Sequence, residues 1–161
     1  MTLRRVSKWS STPIETRFRT IDGLTIRFAE SEQRHDDALL LSPWPESLLA
    51  FEPMWARLAE RAHVVAIDLP GFGHSERRDA LLSPRAMGEF VVRAAESFGL
   101  ESPHAVGPDI GTGALLFAAA LEPGCMSSLV VGSGGSAFPL ELGHLVKEWV
   151  DGGRVVPMSG V

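Results

Sequence analysis

The segment Gly107-Pro108-Asp109-Ile110-Gly111 is where this sequence could do chemistry. Glycines two before and two after a central residue let a chain turn sharply from a strand into a helix. The central side chain then stands above the sheet in a strained conformation. Serine is the usual nucleophile at such a turn; here the position holds Asp109. A carboxylate at a helix N-terminus is stabilised in its charged form by the helix dipole. It can attack an alkyl carbon and form an ester intermediate. The same segment also reads as a plain helix N-cap in a glycine-rich turn.

Other candidates are weaker. Gly71 and Gly73 follow a strand-like run, but a dinucleotide fingerprint needs a glycine at position 76, which is Glu76. Gly111 and Gly113 fail in the same way at Leu116. Ser136 has Gly134 before it and Phe138 after it, and Ser133 has Val131 where the first glycine should be. His74 reads as a loop residue bonded to backbone, and the lone Cys125 as a small inert residue.

The elements that must position Asp109 follow from patterning. Glu15 to Glu30 reads as two strands around a turn at Asp22-Gly23, with Leu24, Ile26 and Phe28 alternating with Thr25 and Arg27. Ala38–Leu41 and His63–Asp68 read as buried strands, and His104–Gly107 and Ser128–Val131 as further ones. Leu48 to Ala62 has helical spacing, with Pro53 near its start. Ser83-Pro84 caps a helix that runs to about Phe98 and is stopped by Gly99. Thr112 to Leu121 is an Ala/Leu-rich helix, and Leu140 to Val150 could be another. Asp151 to Val161 shows no period. Strands alternating with helices after an opening hairpin predict an α/β fold: a mostly parallel sheet with helices on both faces.

Charge and composition narrow the function classes. There are 20 acidic and 15 basic residues, a net charge of -5, with no long block of like charges, which argues against a nucleic-acid or anionic-membrane surface. The longest apolar run, Ala114 to Leu121, is too short to span a bilayer. No apolar stretch follows Arg4, Arg5 and Lys8, which argues against a secretory signal. One cysteine allows no intrachain disulfide and no multi-cysteine metal site. A cytoplasmic protein is the default expectation.

Three segments together resemble the α/β-hydrolase family. Asp68-Leu69-Pro70-Gly71-Phe72-Gly73-His74-Ser75 resembles the loop after its fourth strand. Gly107 to Gly111 resembles its nucleophile elbow, and Ser42-Pro43-Trp44-Pro45 aligns with its His-Gly-x-Pro oxyanion segment. An aspartate elbow is similar to the epoxide hydrolase and haloalkane or haloacetate dehalogenase branch. The resemblance covers about Glu15 to Val150. It implies Asp109 as nucleophile and backbone N–H groups of Trp44 and Ile110 as the oxyanion hole. It implies a small-molecule substrate, no metal and no organic cofactor.

The same resemblance marks what is missing. The family supplies a His base after its last strand, and His144 is the only histidine after Asp109. It falls where a cap would begin. Gly132 to Ser136 contains no carboxylate to orient a base, the chain contains no tyrosine to activate an epoxide, and Ile110 stands where a dehalogenase carries a halide-binding Trp. The expectation is a single partial domain with about six of the family's eight strands. Its core is about residues 15–138, the start of a cap 139–150, and an irregular tail 151–161. Ester hydrolysis should be impaired, and the exposed sheet edge should favour self-association. The alternative is a truncated, non-catalytic fragment or binding remnant.

Overall fold

A computed structural model describes residues 13–134. The expected helix at Leu140–Val150, the tail, and the candidates Ser136 and His144 lie outside these residues. The opening hairpin is β1 (Arg17–Ile21) and β2 (Leu24–Glu30), antiparallel from Arg17↔Phe28 to Ile21↔Leu24. Asp22 (φ 52°) and Gly23 (φ 72°) both take the left-handed region. A two-residue turn needs this to match the twist of its strands.

β3 (Asp37–Leu41), β4 (His63–Ile67), β5 (His104–Pro108) and β6 (Ser128–Gly132) follow. All join one six-stranded sheet in the order β1-β2-β4-β3-β5-β6. β4, β3, β5 and β6 run parallel, and β2 meets β4 antiparallel. The expected hairpin, strands and single sheet are therefore present.

Side chains of the inner strands alternate between two cores. Leu39, Leu41, Val65 and Ile67 pack with Phe90, Val91 and Ala94 of α2 (Pro84–Ser97) and Leu115 of α3 (Ile110–Leu121). Ala38, Leu40, Val64 and Ala66 pack with Trp55 of α1 (Glu52–Ala59) on the opposite face. Burial on both faces explains the near-continuous apolar runs of β3 and β4.

Two expectations change. The helix foreseen from Leu48 to Ala62 is a 3-10 turn, Leu48–Phe51, followed by α1. Pro53 has no N–H to give to the carbonyl four residues back, so an α-ladder cannot run through it. Arg27, read as one of the polar residues alternating with the apolar face of β2, is only 6% exposed. Arg27 and Phe28 point to opposite faces of β2 and are both buried, so both faces are covered at this point of the strand. At the other side of the sheet β6 is the outer strand among the described residues, with Val130 60% and Val131 41% exposed.

The strand order contains a reversal. The chain leaves β3 for β4 on one side, then crosses to β5 and continues outward to β6. β3 and β5 are neighbours whose following helices, α1 and α3, lie on opposite faces. A crevice forms at the carboxyl ends of such a pair, where open α/β sheets bind ligands. Trp44 follows β3 and Asp109 follows β5.

Candidate active site

Asp109 lies between the end of β5 and the start of α3 with φ 52° and ψ −116°. A non-glycine residue takes this conformation only when its surroundings impose it. Gly107 and Gly111 show how. A Cβ built on Gly107 would lie 2.6 Å from the Gly111 carbonyl oxygen and 2.7 Å from Leu115 Cδ1. A Cβ on Gly111 would lie 3.2 Å from Leu41 Cβ. The helix therefore starts pressed against its own strand, and the residue between must turn outward.

Backbone bonds hold the turn. Asp109 N–H donates to Gly132 O at 2.8 Å, and Thr112 N–H to Asp109 O at 3.0 Å. Thr112, 4% exposed, adds a side-chain clamp. Its hydroxyl lies 2.9 Å from Gly107 O, and it accepts from Gly132 N–H at 3.1 Å. It thus ties α3 to the ends of β5 and β6. Sequence reading missed Thr112; its place in the first turn of the helix after the elbow was the available signal.

The carboxylate of Asp109 is half-buried and faces the loop after β3. Trp44 N–H donates to Asp109 Oδ2 at 3.0 Å. The structure thus brings together two of the three site residues named from the sequence, with Ser42-Pro43 in place of His-Gly. Ile110, the third, opens α3. Its N–H belongs to the first helical turn, whose amides have no acceptor within the helix.

No histidine side chain among the described residues hydrogen-bonds Asp109. His35 pairs with Asp36 and His104 with Ser128. His63 is 1% exposed and lies 2.8 Å from Asp37 Oδ1 and 3.3 Å from Glu30 Oε1. That pair resembles a base and its orienting acid. It sits at the amino ends of β3 and β4, however, across the sheet from Asp109. His74 is exposed, with its backbone N–H on Asp68 Oδ2. Ser133 is an exposed residue just past β6. Burial pushes the Cys125 thiol up from its ordinary value, and the Glu122 charge adds to this. Fewer thiolates near neutral pH fit the expected inertness.

A second polar centre lies beside the site. Asp68, fully buried after β4, forms an ion pair with Arg27 at 2.6 Å. It also accepts Leu48 N–H at 2.7 Å. In the sequence Asp68 stands out only as part of a loop pattern, and no local signal pairs it with Arg27, 41 residues away.

No group of metal-ligating side chains occurs among the described residues, and no helix there is long and apolar enough to cross a membrane.

Residues 39–155 match the family model described as alpha/beta hydrolase fold. A crystal structure of Cfl2 from Burkholderia cenocepacia is similar at 26% identity and a TM-score of 0.75, over 92% of this chain and 53% of that one. The epoxide hydrolase CorEH is similar in fold at 20% identity and a TM-score of 0.74, over 86% of this chain and 50% of that one. One curated sequence, the dihydrolipoyllysine-residue acetyltransferase component of the acetoin cleaving system of Cupriavidus necator, is 32% identical over 96 residues. That match covers 60% of this chain and 26% of the relative. The chain thus spans about half the length of these solved structures and about a quarter of the curated relative.

Proposed function

The chain belongs to the α/β hydrolase fold family, and from that premise we propose that it carries the nucleophile of a hydrolase acting on an epoxide or a carbon–halogen bond. In this reading it is one partial domain of about six strands, working in the cytoplasm without metal or organic cofactor. The observation that carries the reading is the Trp44 N–H, 3.0 Å from Oδ2 of an aspartate held at φ 52° between a strand and a helix.

The proposed chemistry follows from that arrangement. The Trp44 N–H fixes one carboxylate oxygen, and Oδ1 attacks the substrate carbon in line with the leaving group. A C–O bond forms as the carbon–halogen bond breaks, and the halide leaves with the electron pair. With an epoxide the ring C–O bond breaks instead, and the released alkoxide takes a proton from water. The product is an ester on Asp109. Its hydrolysis places negative charge on the former carboxylate oxygen, which the Trp44 and Ile110 N–H groups receive. That second step needs water activated by a base. Among the described residues no histidine side chain hydrogen-bonds Asp109, so the described residues are assigned the ester-forming step.

Intact-mass spectrometry after incubation with a reactive alkyl halide or epoxide tests this. The folded chain should gain one adduct, mapped by peptide analysis to Asp109 and not to Cys125, and Asp109→Asn should gain none. A folded chain that gains no adduct at Asp109 would overturn the reading and leave the binding-remnant alternative.

A further inference from the structure

We propose that Asp68 is a positioning residue: its buried carboxylate, clamped by Arg27, pins the loop that aims Trp44 N–H at Asp109. The proposal rests on the reading of Asp109 as nucleophile.

Asp68 makes no contact with Asp109; its action runs through the chain between β3 and α1. Oδ1 accepts Leu48 N–H at 2.7 Å. Oδ2 accepts Arg27 Nε–H at 2.6 Å and His74 N–H at 2.9 Å. The other end of the same loop is fixed at Ser42. Its N–H donates to Ile67 O at 3.0 Å, and its hydroxyl accepts Leu69 N–H at 3.1 Å. Residues 42–48 are thus a strap fastened at both ends to the carboxyl end of β4. Trp44 lies between the two fastenings, with prolines on either side that restrict its path.

The fastening at Asp68 is specific. A fully buried carboxylate is tolerated only when donors compensate its charge. Here an Arg side chain and two backbone amides do so. Gly73 permits the third of these contacts: a Cβ there would lie 2.0 Å from Oδ2, at φ +53°. Only glycine lets the chain pass close enough for His74 N–H to reach the carboxylate. The loop after β4 and the strap after β3 are therefore joined through a single side chain, and Arg27 from β2 holds that side chain in place.

Amide hydrogen exchange by NMR tests the proposal without requiring activity. In Asp68→Ala the Trp44 and Leu48 amides should lose at least about tenfold in protection beyond any change at Leu39 and Val65. A merely structural role would lower all four in parallel, and that result would overturn the proposal, as would unchanged protection at Trp44. In Asp68→Asn an amide oxygen can still serve Leu48, while the group facing His74 and Arg27 no longer accepts. His74 should then lose protection and Leu48 keep it; the reverse order would contradict the assigned contacts. Should neither variant fold, the wild-type chain decides. Under increasing denaturant the Trp44, Leu48 and His74 amides should open together, and a Trp44 amide that opens far more readily than the other two would refute the strap.

Alkylation supplies the catalytic readout. Asp68→Ala should lower the maximal rate of Asp109 alkylation about tenfold, with the reagent concentration at half-maximal rate nearly unchanged. If wild-type Asp109 gains no adduct, the nucleophile reading fails, and the exchange data still decide whether Asp68 orders the strap.

Discussion

Replacing Asp109 by glycine should leave a more stable protein than replacing it by alanine, the reverse of the usual order. The cause is the backbone at φ 52° and ψ −116°. For a residue with a Cβ, such a sparsely populated conformation costs about 1–3 kcal/mol. For glycine it is the mirror image of ordinary extended backbone. Both variants lose the carboxylate and its hydrogen bond from Trp44, so that loss cancels in the comparison. Glycine's extra freedom in the unfolded chain takes back about 0.5–1 kcal/mol. The middle of each range leaves glycine an advantage of about 1 kcal/mol. In urea, with an m-value of about 2 kcal/mol/M, the glycine midpoint should be higher by about 0.5 M. Urea titrations of the two variants, followed by circular dichroism, measure this directly. An alanine midpoint equal to or above that of glycine would mean that position 109 is not strained, and the elbow would lose its physical basis. Neither variant should be alkylated.

Gly107→Ala should cost about 1–3 kcal/mol by overpacking, because its Cβ would lie 2.6 Å from a backbone oxygen that cannot move aside. Gly111→Ala, 3.2 Å from Leu41 Cβ, should cost less, and urea midpoints would show the order. The hydrogen bond that the protonated ring donates to Asp36, and then the Asp36 charge, hold the His35 imidazole above its ordinary 6.5. Any stability from that contact is therefore complete below about pH 6.5 and fades as pH rises through the folded value. An NMR titration should place the His35 midpoint above 6.5 and find it lower in Asp36→Asn. The half-buried Cys125 thiol should react slowly with a disulfide reagent near neutral pH, and Glu122→Gln should speed the reaction. With Val130 60% and Val131 41% exposed on the outer strand, sedimentation should show self-association that grows with concentration, and Val130→Lys should reduce it.

Local chemistry was legible where one element decides it. The turn at Asp22-Gly23, the Ser83 cap, whose hydroxyl accepts Ala86 N–H at 3.3 Å, and the stop at Gly99 (φ 69°) all follow from a few adjacent residues. Arg27 was not legible. Alternation along β2 says which side chains share a face, but not whether a neighbouring layer covers the other face as well. The pairing of His63 with Asp37 was hidden for a related reason. Residues distant in sequence meet because β3 and β4 begin side by side. Asp109 was found from its flanking glycines, whereas Trp44 came only through resemblance to a family, since no spacing rule links positions 44 and 109.

What links them is the strand order. Parallel strands place all their carboxyl ends on one side, so each loop leaving β3, β4, β5 and β6 can add to one site. β3 supplies Trp44, β4 supplies Asp68, β5 supplies Asp109, and Gly132 at the end of β6 accepts the Asp109 amide. Two of these contributions, the Trp44 N–H and the Gly132 carbonyl, come from the backbone. The donor to Asp109 is an N–H that every residue except proline possesses. The elbow depends on glycines that lack a side chain. Ser42-Pro43 fits this arrangement: Ser42 is held through its own N–H and hydroxyl, and Pro43 need donate nothing. The side chains that cannot change freely are those that shape the backbone, Asp68 with Arg27 and Thr112. Substitutions there should disturb the site by moving the backbone that carries its donors and acceptors.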